Sequence, residues 1–526
     1  GYGTQKKATV TGSVAQVSGE VIKQSPAANL SNSIAGRIPG VVANNRSGEP
    51  GSDASEIYIR GKGTLGNSSP LYVIDGVANR GGIDRLNPND IESISVLKDA
   101  SASIYGAQAA NGVILVTTKR GTDSKPVIAY DGNFSVSQNT RTPHLMNAYQ
   151  YMVYDDEANK YMGRDQIWAN IKGGYLDGTI DPLQYADTDW FDATFRNFAP
   201  QTQHSLSVRG GNDRVKYYIS GGYLYQEPGF KNTNMDFNTL QVRSNLDAKI
   251  TKDFTVSLEL STRQENRNQS NISSSDFFYE AYMIYPYLPD FYPNGLPGPG
   301  ISKGKNLALL ATGVTGYNKI KDNYMNTKVS FDLKMPWVLD GLYLSGYGAF
   351  DTQFRREKLL NDTWDAYRYN PTTKEYDKVA TGNKNNFIDL TQKSDESRIT
   401  TFHIKLGYEK RFEEHSVNAF IAYEQSKTTG DWFSAYRRDF LSSSVDYLFA
   451  GSDIEKSNDG KGSISARQNY FGRLSYGYKD RYMAEFTLRY DGSQNFASSE
   501  RWGVFPGLSV GWRISEEEFF KKSLPF

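Results

Sequence analysis

Regular alternation of apolar and polar residues over about nine to eleven positions constrains this chain more than any other feature. Residues 240–250 show it, and similar runs follow near residues 254, 329, 402 and 482. Because successive side chains of a β-strand point to opposite faces, each run predicts a strand with one apolar and one polar face. In the first run, the apolar phase is Leu240, Val242, Ser244, Leu246, Ala248 and Ile250, and the polar phase is Gln241, Arg243, Asn245, Asp247 and Lys249.

The length of these runs favours strands that cross a membrane. Strands of soluble sheets average five or six residues, whereas a tilted strand needs about nine to eleven residues to span a bilayer. We expect Leu246 and Phe331 to face lipid, and we expect an arginine at Asn245, on the lumen side, to be mild. About twelve strands are predicted, starting near Val127, Gln203, Val215, Phe237, Phe254, Asn326, Leu342, Ile399, Ser416, Asn469, Tyr482 and Gly503.

Very short turns alternate with long polar loops between these strands, which is typical of outer-membrane barrels. The short turns, placed on the periplasmic side, are Gly210–Arg214, Thr251–Asp253, Pro336–Gly341, Phe412–His415 and Tyr478–Arg481. The long loops are about Asn139–Gln201, Glu227–Asp236, Arg263–Tyr324, Phe354–Arg398, Glu424–Gln468 and Asp491–Trp502. The rival interpretation is a secreted or surface-tethered β-rich glycan-binding protein without transport activity.

Composition excludes several other classes. The 526 residues include no cysteine, which excludes disulfides and thiol chemistry, and Lys+Arg equals Asp+Glu at 59 each, which argues against nucleic acid as a main partner. Mean hydropathy is −0.59, and no stretch approaches the ~20 apolar residues of a membrane helix. The sequence therefore does not predict a helical membrane protein.

The candidate motifs for catalysis, metal binding or cofactor binding do not match the spacing that such sites require. Gly61–Gly66 is a literal G-x-G-x-x-G, but it leads towards another predicted strand and not a helix, so we interpret it as a flexible turn. The four histidines lack metal-ligand spacing. Calcium-type ligands also occur together in one loop, which departs from EF-hand spacing and is interpreted as a solvated surface loop: Asp453, Glu455, Asn458 and Asp459. We expect a protein that is not an enzyme and has no cofactor.

The stretch from Ile57 to Gly121 carries the most specific signal. It contains IRG followed by PLYVIDG, and then VLKDASA, YG, AANGV and TTK in order. These residues resemble the plug of TonB-dependent outer-membrane transporters of the SusC-like branch. The resemblance implies a β-barrel membrane protein with an N-terminal α+β plug domain inside its lumen. The complete barrel would have about 22 antiparallel strands, with about twelve here. We place the plug at residues 1–124 and the N-terminal part of the barrel at residues 125–526.

The same resemblance implies partners and a location in the bacterial outer membrane. It implies energy from the TonB–ExbB–ExbD complex acting on an N-terminal TonB box, and a SusD-like surface lipoprotein acting as a lid. Dimers of transporter–lid pairs are compatible with it. The sequence starts at Gly1 without a signal peptide and stops just after a predicted strand, so we expect segments beyond both ends. The imported ligand is expected to be an oligosaccharide, with an oligopeptide as the alternative.

Ligand-binding candidates come from two regions. In the plug, the polar Gly-rich turns Lys62–Ser69 and Asn79–Asp84 should face the ligand, while aromatic rings in the long loops could stack on sugar faces. Those rings could equally pack against other loops or a partner protein. Polar lumen residues, including Arg243, Asp247 and Arg489, should give the plug a hydrated seat. The binding candidates are Lys62, Asn67, Arg80, Asp84, Arg85, Trp364, Tyr367, Trp432 and Tyr436.

Overall fold

The computed structural model describes residues 12–25, 27–84, 86–301, 305–382 and 386–523. Its N-terminal part is a small α+β domain that lies against the inward face of a twelve-stranded antiparallel sheet. The elements of this domain, here called the plug, are β1 (Val14–Ser18), α1 (Gly19–Lys23), α2 (Leu30–Ser33), β2 (Val41–Asn45), β3 (Ser55–Ile59), β4 (Leu71–Ile74), β5 (Val77–Ala78), β6 (Ile91–Leu97) and β7 (Val113–Thr118), with 3-10 helices at Pro88–Asp90 and Asp99–Ala109.

The plug is built on a five-stranded sheet in the order β1-β6-β7-β4-β5, beside the separate hairpin of β2 and β3. Only β4 and β7 run parallel. The core beneath this sheet consists of fully buried isoleucines and leucines from both helices and the central strands, such as Ile22, Leu30, Ile94 and Ile114. Burial of these side chains gives the plug its own apolar core, separate from the barrel wall.

The sequence PLYVIDG forms a tight hairpin. Ile74 pairs with Val77, so Asp75 and Gly76 alone make the turn between β4 and β5. Both have positive φ, +51° and +83°, as a two-residue type I′ turn requires, and Asp-Gly is among the sequences that tolerate it. The hairpin places the Asp75 carboxylate at the edge of the plug.

The large sheet follows the predicted order of strands, each antiparallel to its neighbour. Between β14 and β17 the chain forms the separate hairpin of β15 and β16. The strands are β8 (Ser124–Ser137), β9 (Ala199–Gly211), β10 (Val215–Gln226), β11 (Asp236–Lys249), β12 (Phe254–Gln269), β13 (Gly316–Lys334), β14 (Leu342–Asn361), β15 (Trp364–Asn370), β16 (Glu375–Gly382), β17 (Asp389–Phe412), β18 (His415–Arg438), β19 (Ser457–Tyr478), β20 (Tyr482–Ser493) and β21 (Trp502–Trp512).

The predicted strands, turns and faces are confirmed. All twelve strands are present in the large sheet, and the five short turns lie where they were predicted. Outward apolar residues are exposed, for example Leu258 and Val329, which pair directly across β12 and β13. Inward residues such as Glu259 and Lys328 are buried against the plug side. In the described sheet, β8 and β21 are the two edges and do not pair with one another.

The strands are longer than predicted on the long-loop side. β17 and β18 each contain 24 residues, so much of the predicted loops Phe354–Arg398 and Glu424–Gln468 is strand. The reason is that the outward face of such extensions carries polar and charged residues, as at Lys321 on β13 and Arg356 on β14. Beyond the bilayer the outward face needs no apolar residues, so alternation disappears while the hydrogen-bonded ladder continues.

The remaining long loops fold into a compact unit, here called the cap. It contains α3 (Ala148–Tyr161), α4 (Gly174–Asp177), α5 (Trp190–Thr194), α6 (Ser274–Met283), α7 (Leu307–Ala311) and the β15–β16 hairpin. A further helix outside the cap, α8 (Glu518–Ser523), follows β21. Trp190, Phe277 and Leu310 form the buried centre of the cap, with Trp364 contributed by the hairpin. Among the helices described, none has the length and apolar character required to span a bilayer.

Candidate functional site

Ion pairs join the plug to the sheet on the side of β10 to β14. Arg243 on β11 lies 3.3 Å from the Asp75 carboxylate and 3.5 Å from that of Asp90, and all three side chains are less than 10% exposed. Tyr218 on β10 donates a hydrogen bond of 2.8 Å to Asp90. The Asp-Gly turn of the plug and the Asn-Pro-Asn-Asp segment before β6 therefore both present carboxylates to one barrel arginine.

A second ionic group lies nearer the short turns. Arg120, just after β7, pairs with Asp247 at 2.7 Å and also with Glu259. Lys328 on β13 reaches Glu259 at 3.2 Å and donates to the backbone carbonyl of Asp75 at 2.8 Å. The prediction of a polar, hydrogen-bonded seat agrees with these contacts of Arg243 and Asp247.

Asn245 corrects one prediction about the lumen face. It is fully buried, and its amide donates to the Thr118 hydroxyl and the Lys119 carbonyl of the plug at 2.9 and 2.7 Å. An arginine would not fit there without displacing the plug. The expectation that this substitution is mild was therefore wrong, because the polar face of β11 is a packed interface and not a water-filled wall.

The opposite side of the seat is apolar. Phe420 on β18 and Phe471 on β19 are buried with Ala102, Ile104 and other residues of the plug. Arg489 on β20 donates to the Ile104 carbonyl at 2.6 Å. The plug is thus held by ions on one side and mainly by apolar packing on the other.

The direction of the strands shows which end of the plug faces the long loops. Arg120 follows β7 and meets Asp247, two residues before β11 ends at a short turn. Because β4 and β7 run parallel, Leu71 and Val113 at their starts lie at the other end. The loop that precedes Leu71 therefore faces the long-loop end, which is the extracellular end of an outer-membrane barrel.

Two predicted binding residues, Lys62 and Asn67, line a cavity of about 670 Å³ in that loop. The Lys62 ammonium lies 4.9 Å from the centre of the Tyr58 ring. A hydrogen bond from Tyr58, with Arg46 and Lys62 nearby, lowers the pKa of Glu56 below its usual range, so this cavity wall is charged. The cavity can offer donors, a carboxylate and a ring to a polar ligand.

The other plug candidates are placed differently. Arg80 is bound to the barrel: it pairs with Asp351 on β14 at 3.0 Å and donates to the Thr327 carbonyl. Its side chain is 4% exposed, so it fastens the plug rather than facing an open cavity. Asp84 is partly buried, and Arg85 lies outside the described residues. A ligand role for these residues stays a prediction.

The aromatic candidates also separate into two groups. Trp364 lies inside the cap cluster and is 9% exposed, a position that corresponds to loop packing, the alternative considered for such rings. Tyr367 lies nearby on the same strand and is partly buried. Trp432 and Tyr436 were predicted to lie in a loop, but they lie on β18. Both are an even number of residues from Phe420, so their side chains point to the same inward face. Both are partly buried.

Two charged pairs that the sequence analysis missed lie on the inward phase of β12 and β17. Arg263 and Glu265 on β12 lie 3.0 Å apart, and Lys393 and Asp395 on β17 lie 3.4 Å apart. The Lys393 ammonium is 5.0 Å from the centre of the Trp432 ring. Extending the inward phase of each strand beyond the membrane would have found them. We call the surface that carries Trp432, Tyr436, Lys393 and Asp395 the inner wall. Arg263 and Glu265 lie lower, beside the plug, since plug residues contact β12 as far along as Arg267 and Gln269.

The cap holds tyrosines whose hydroxyls stay neutral over a wide pH range. Burial raises the pKa of Tyr287 to about 12, with Tyr285 and Asp155 adding to the effect. Tyr285 and Tyr287 stack at 5.2 Å between ring centres. The Tyr287 hydroxyl therefore stays protonated near neutral pH, and its stacking on Tyr285 is a packing contact.

No metal site is visible in the described part of the chain, where no three His, Cys, Asp or Glu side chains converge. The acidic loop after β18 is neutralised by arginines instead. Arg437 lies 3.0 Å from Asp453, and Arg438 pairs with Glu455. The G-x-G-x-x-G segment leads into β4, as interpreted from the sequence.

Comparisons with known proteins agree with this geometry. Residues 6–113 match the family described as TonB-dependent Receptor Plug Domain. The chain is 29% identical over 542 residues to TonB-dependent receptor P3 of Formosa agariphila, covering 99% of the chain and 49% of that protein. It is 28% identical to TonB-dependent receptor SusC of Bacteroides thetaiotaomicron, covering 99% of the chain and 51% of that protein. The chain thus spans about half the length of these relatives.

Solved structures give the same architecture. The RagAB peptide importer in its open-open state matches with a TM-score of 0.82 and 25% identity, covering 98% of this chain and 58% of that chain. The unliganded ferric citrate transporter FecA matches with a TM-score of 0.58 and 12% identity, covering 97% of this chain. The second match shows only the shared fold.

Proposed function

Because this chain belongs to the SusC-like branch of the TonB-dependent outer-membrane receptors, we propose that it serves the active import of a large polar nutrient. An oligosaccharide is the first candidate ligand. The chain supplies the plug and twelve strands of the barrel wall, which lie in the bacterial outer membrane. No catalytic step is proposed, since the protein would move its ligand unchanged.

The observation that carries this proposal is the division of the lumen into two levels. The lower level is filled by the plug, seated on Arg243, Lys328 and their carboxylate partners. Above it lies the inner wall, with Trp432 and the Lys393–Asp395 pair. A closed floor below a polar, partly aromatic chamber suits capture of a ligand before passage.

The seat supports energy-driven displacement of the plug. Ion pairs and hydrogen bonds at Asp75, Asp90 and Asn245 can exchange for bonds to water when the plug moves, so their net contribution is modest. We propose that the TonB–ExbB–ExbD complex supplies the pulling force through an N-terminal TonB box. This coupling would open the path that the plug closes.

The cap supports a lid partner. Its surface exposes several large apolar side chains, for example Tyr161, Leu176 and Tyr279, which are at least 60% exposed. Exposed apolar groups of this size favour a protein partner. We propose a SusD-like lipoprotein over the cap, and a dimer of such transporter–lid pairs stays a prediction.

An oligopeptide is the second candidate ligand because two observations favour it. The inner wall carries the charged pair of Lys393 and Asp395, which suits a ligand with both charges. One similar structure is that of a peptide importer. The resemblance to the SusC-like branch and the Trp432 and Tyr436 rings favour an oligosaccharide, so the choice requires direct measurement.

Growth and uptake of defined ligands test the proposal. A strain lacking this gene, complemented with the full-length protein, should take up labelled oligosaccharide or oligopeptide only when the gene is present. Trp432→Ala, on the inward face of β18, should weaken ligand binding roughly tenfold, as expected for loss of a stacked ring. Phe433→Ala is the matched control, because the neighbouring ring is 59% exposed on the outward face.

The outcomes separate the alternatives. Uptake of oligosaccharide alone, or of oligopeptide alone, identifies the ligand class. Loss of TonB from the host should abolish uptake while leaving surface binding intact. Binding without any uptake in either host would instead indicate a surface glycan-binding protein, and equal effects of Trp432→Ala and Phe433→Ala would refute the inner wall as the binding site.

A further inference from the structure

Four cations lie directly opposite one another on neighbouring strands. Lys319 on β13 pairs with Lys358 on β14, and two residues along, Lys321 pairs with Arg356. Like charges in directly opposed positions destabilise a sheet. We call these four residues the basic block, and an anion bound beside it would relieve the repulsion between its cations.

The basic block lies on the outside of the sheet. On β13 it shares the phase of Met325 and Val329, which are exposed and outward. On β14 it shares the phase of the exposed Phe350. The inward phase is fixed by Lys328 and Asp351, both of which contact the plug. The four cations therefore face away from the lumen and from any transported ligand.

Neutralisation of the block within the chain is partial. Lys358 pairs with Asp446 at 2.8 Å. Lys321 pairs with no carboxylate of the described residues, and neither does Arg356, which lies 5.0 Å from the centre of the Phe354 ring.

Neutral polar residues flank the block on both sides. On β12, Asn266 and Asn268 stand opposite Lys321 and Lys319, and Gln392 and Ser394 flank the other side on β17. Together they line an outward groove of about 900 Å³, to which Asp236 at the start of β11 adds one carboxylate.

The height of the groove identifies its environment. Lys321 lies four residues beyond Met325, the uppermost apolar residue of the lipid-facing run on β13. This is about 13 Å along the strand at about 3.3 Å per residue, or about 9 Å along the membrane normal for a tilt near 45°. The headgroup layer extends about 5–8 Å beyond the hydrocarbon core, so the block lies just above it, and long lysine and arginine side chains can reach back into that layer. Lys319 and Lys358 lie slightly higher.

We propose that the basic block binds the phosphate groups of a phosphorylated lipid of the outer leaflet. Lysine and arginine form short, charge-assisted hydrogen bonds with phosphate oxygens, and arginine can do so in a bidentate manner. The neutral amides beside the block can donate to sugar or glycerol hydroxyls of the same headgroup, while Met325 and Phe350 below contact its acyl chains. The site is independent of the transported ligand, because it lies on the other face of the wall.

Lipid binding to the full-length protein in detergent tests the site. The probe is lipid A carrying two phosphates, titrated by native mass spectrometry, with dephosphorylated lipid A and inorganic phosphate as comparison arms. Lys321→Gln combined with Arg356→Gln should weaken binding of the phosphorylated probe roughly thirtyfold, from two lost surface cations. Lys427→Gln is the matched control: it is an exposed, outward lysine on β18 opposite Thr400 and Ala466, not opposite a cation.

The expected pattern is strong binding of the phosphorylated probe, weak binding of the dephosphorylated one, and little effect of Lys427→Gln. Retained ligand uptake in the double variant would show that its barrel is folded. Three results would overturn the proposal. They are unchanged lipid affinity in the double variant, equal affinity for both forms of lipid A, and binding of inorganic phosphate as tightly as the lipid. Binding of an acidic protein to the basic block, with no change in lipid affinity, would also overturn the proposal.

Discussion

Removal of one partner from the Arg80–Asp351 pair should loosen the plug, and removal of both should largely restore it. The Arg80 guanidinium makes three contacts of 3.0 to 3.2 Å with the Asp351 carboxylate and one of 3.2 Å with the Thr327 carbonyl. The two side chains are 4% and 8% exposed. Whichever charge remains after a single substitution is left buried between the plug and β14.

The magnitude follows from burial. Two charges about 4 Å apart attract by about 4 kcal/mol at an effective dielectric constant near 20, and much of this offsets the cost of their desolvation. Breaking such a buried pair typically costs about 3–5 kcal/mol, whereas replacing both partners by apolar side chains of similar size is often nearly neutral. We therefore expect Arg80→Met and Asp351→Leu each to cost about 3 kcal/mol or more, and the double variant far less than their sum.

Hydrogen exchange measures this cost locally. The amides of β4 and β5, next to Arg80, should exchange faster in each single variant of the full-length protein, and should recover most of their protection in the double variant. Lys378→Met is the control, since the Lys378–Asp365 pair lies on the exposed β15–β16 hairpin and should leave plug exchange unchanged. Additive single effects, or single effects below about 1 kcal/mol, would refute the assignment of this pair as a plug fastening.

Three further outcomes are expected. Leu258→Arg, on the lipid-facing phase, should lower the free energy of unfolding in vesicles by ~2–4 kcal/mol if it lies near the midplane. Gln264→Arg, higher on the same face, should lower it by only ~0–1 kcal/mol. Equal costs of the two variants would contradict the depth assigned to β12. Gly106→Ala should speed plug exchange, because its φ is +67° and a Cβ would lie 2.0 Å from the Asp491 carboxylate; unchanged exchange would show that this close approach relaxes freely. The stability of the cap should fall as pH rises from about 10, where an unfolded tyrosine ionises, to about 12, the pKa of Tyr287 in the folded protein. In an alkaline unfolding titration, Tyr287→Phe should make this fall less steep. An unchanged slope in the variant would contradict the prediction.

The strands that cross the membrane could be predicted from the sequence because their two faces lie in different environments. Lipid outside and a polar plug or water inside select opposite residue types at alternate positions, so a one-residue error would reverse both faces. The starts of β10, β12, β14 and β20 agree with the prediction to the residue. The short turns follow from the same pattern, since they are simply the points where alternation stops and resumes at once.

Above the membrane, alternation of apolar and polar residues no longer predicts where a strand continues. Once water lies on both sides, residues such as Lys321 and Arg356 can occupy the outward face, and alternation no longer marks the strand. For this reason the sequence placed Trp432 and Tyr436 in a loop, although they lie on β18. Counting the inward phase onwards from Phe420 would have placed both on the inner wall, but nothing in the local composition shows that the strand continues.

The binding candidates of the plug show a second kind of limit. Arg80 has the chemistry to bind a ligand and lies in a Gly-rich turn, as a ligand-binding residue of the plug could. Its partner Asp351, however, is 271 residues away in the chain. Asn245 is similar, since its polarity fits a wetted lumen as well as the packed contact with Thr118 that the structure shows. Local sequence gives the donors and acceptors of such residues. Which partner satisfies them depends on how the sheet wraps the plug, and that follows only from the pairing of all twelve strands.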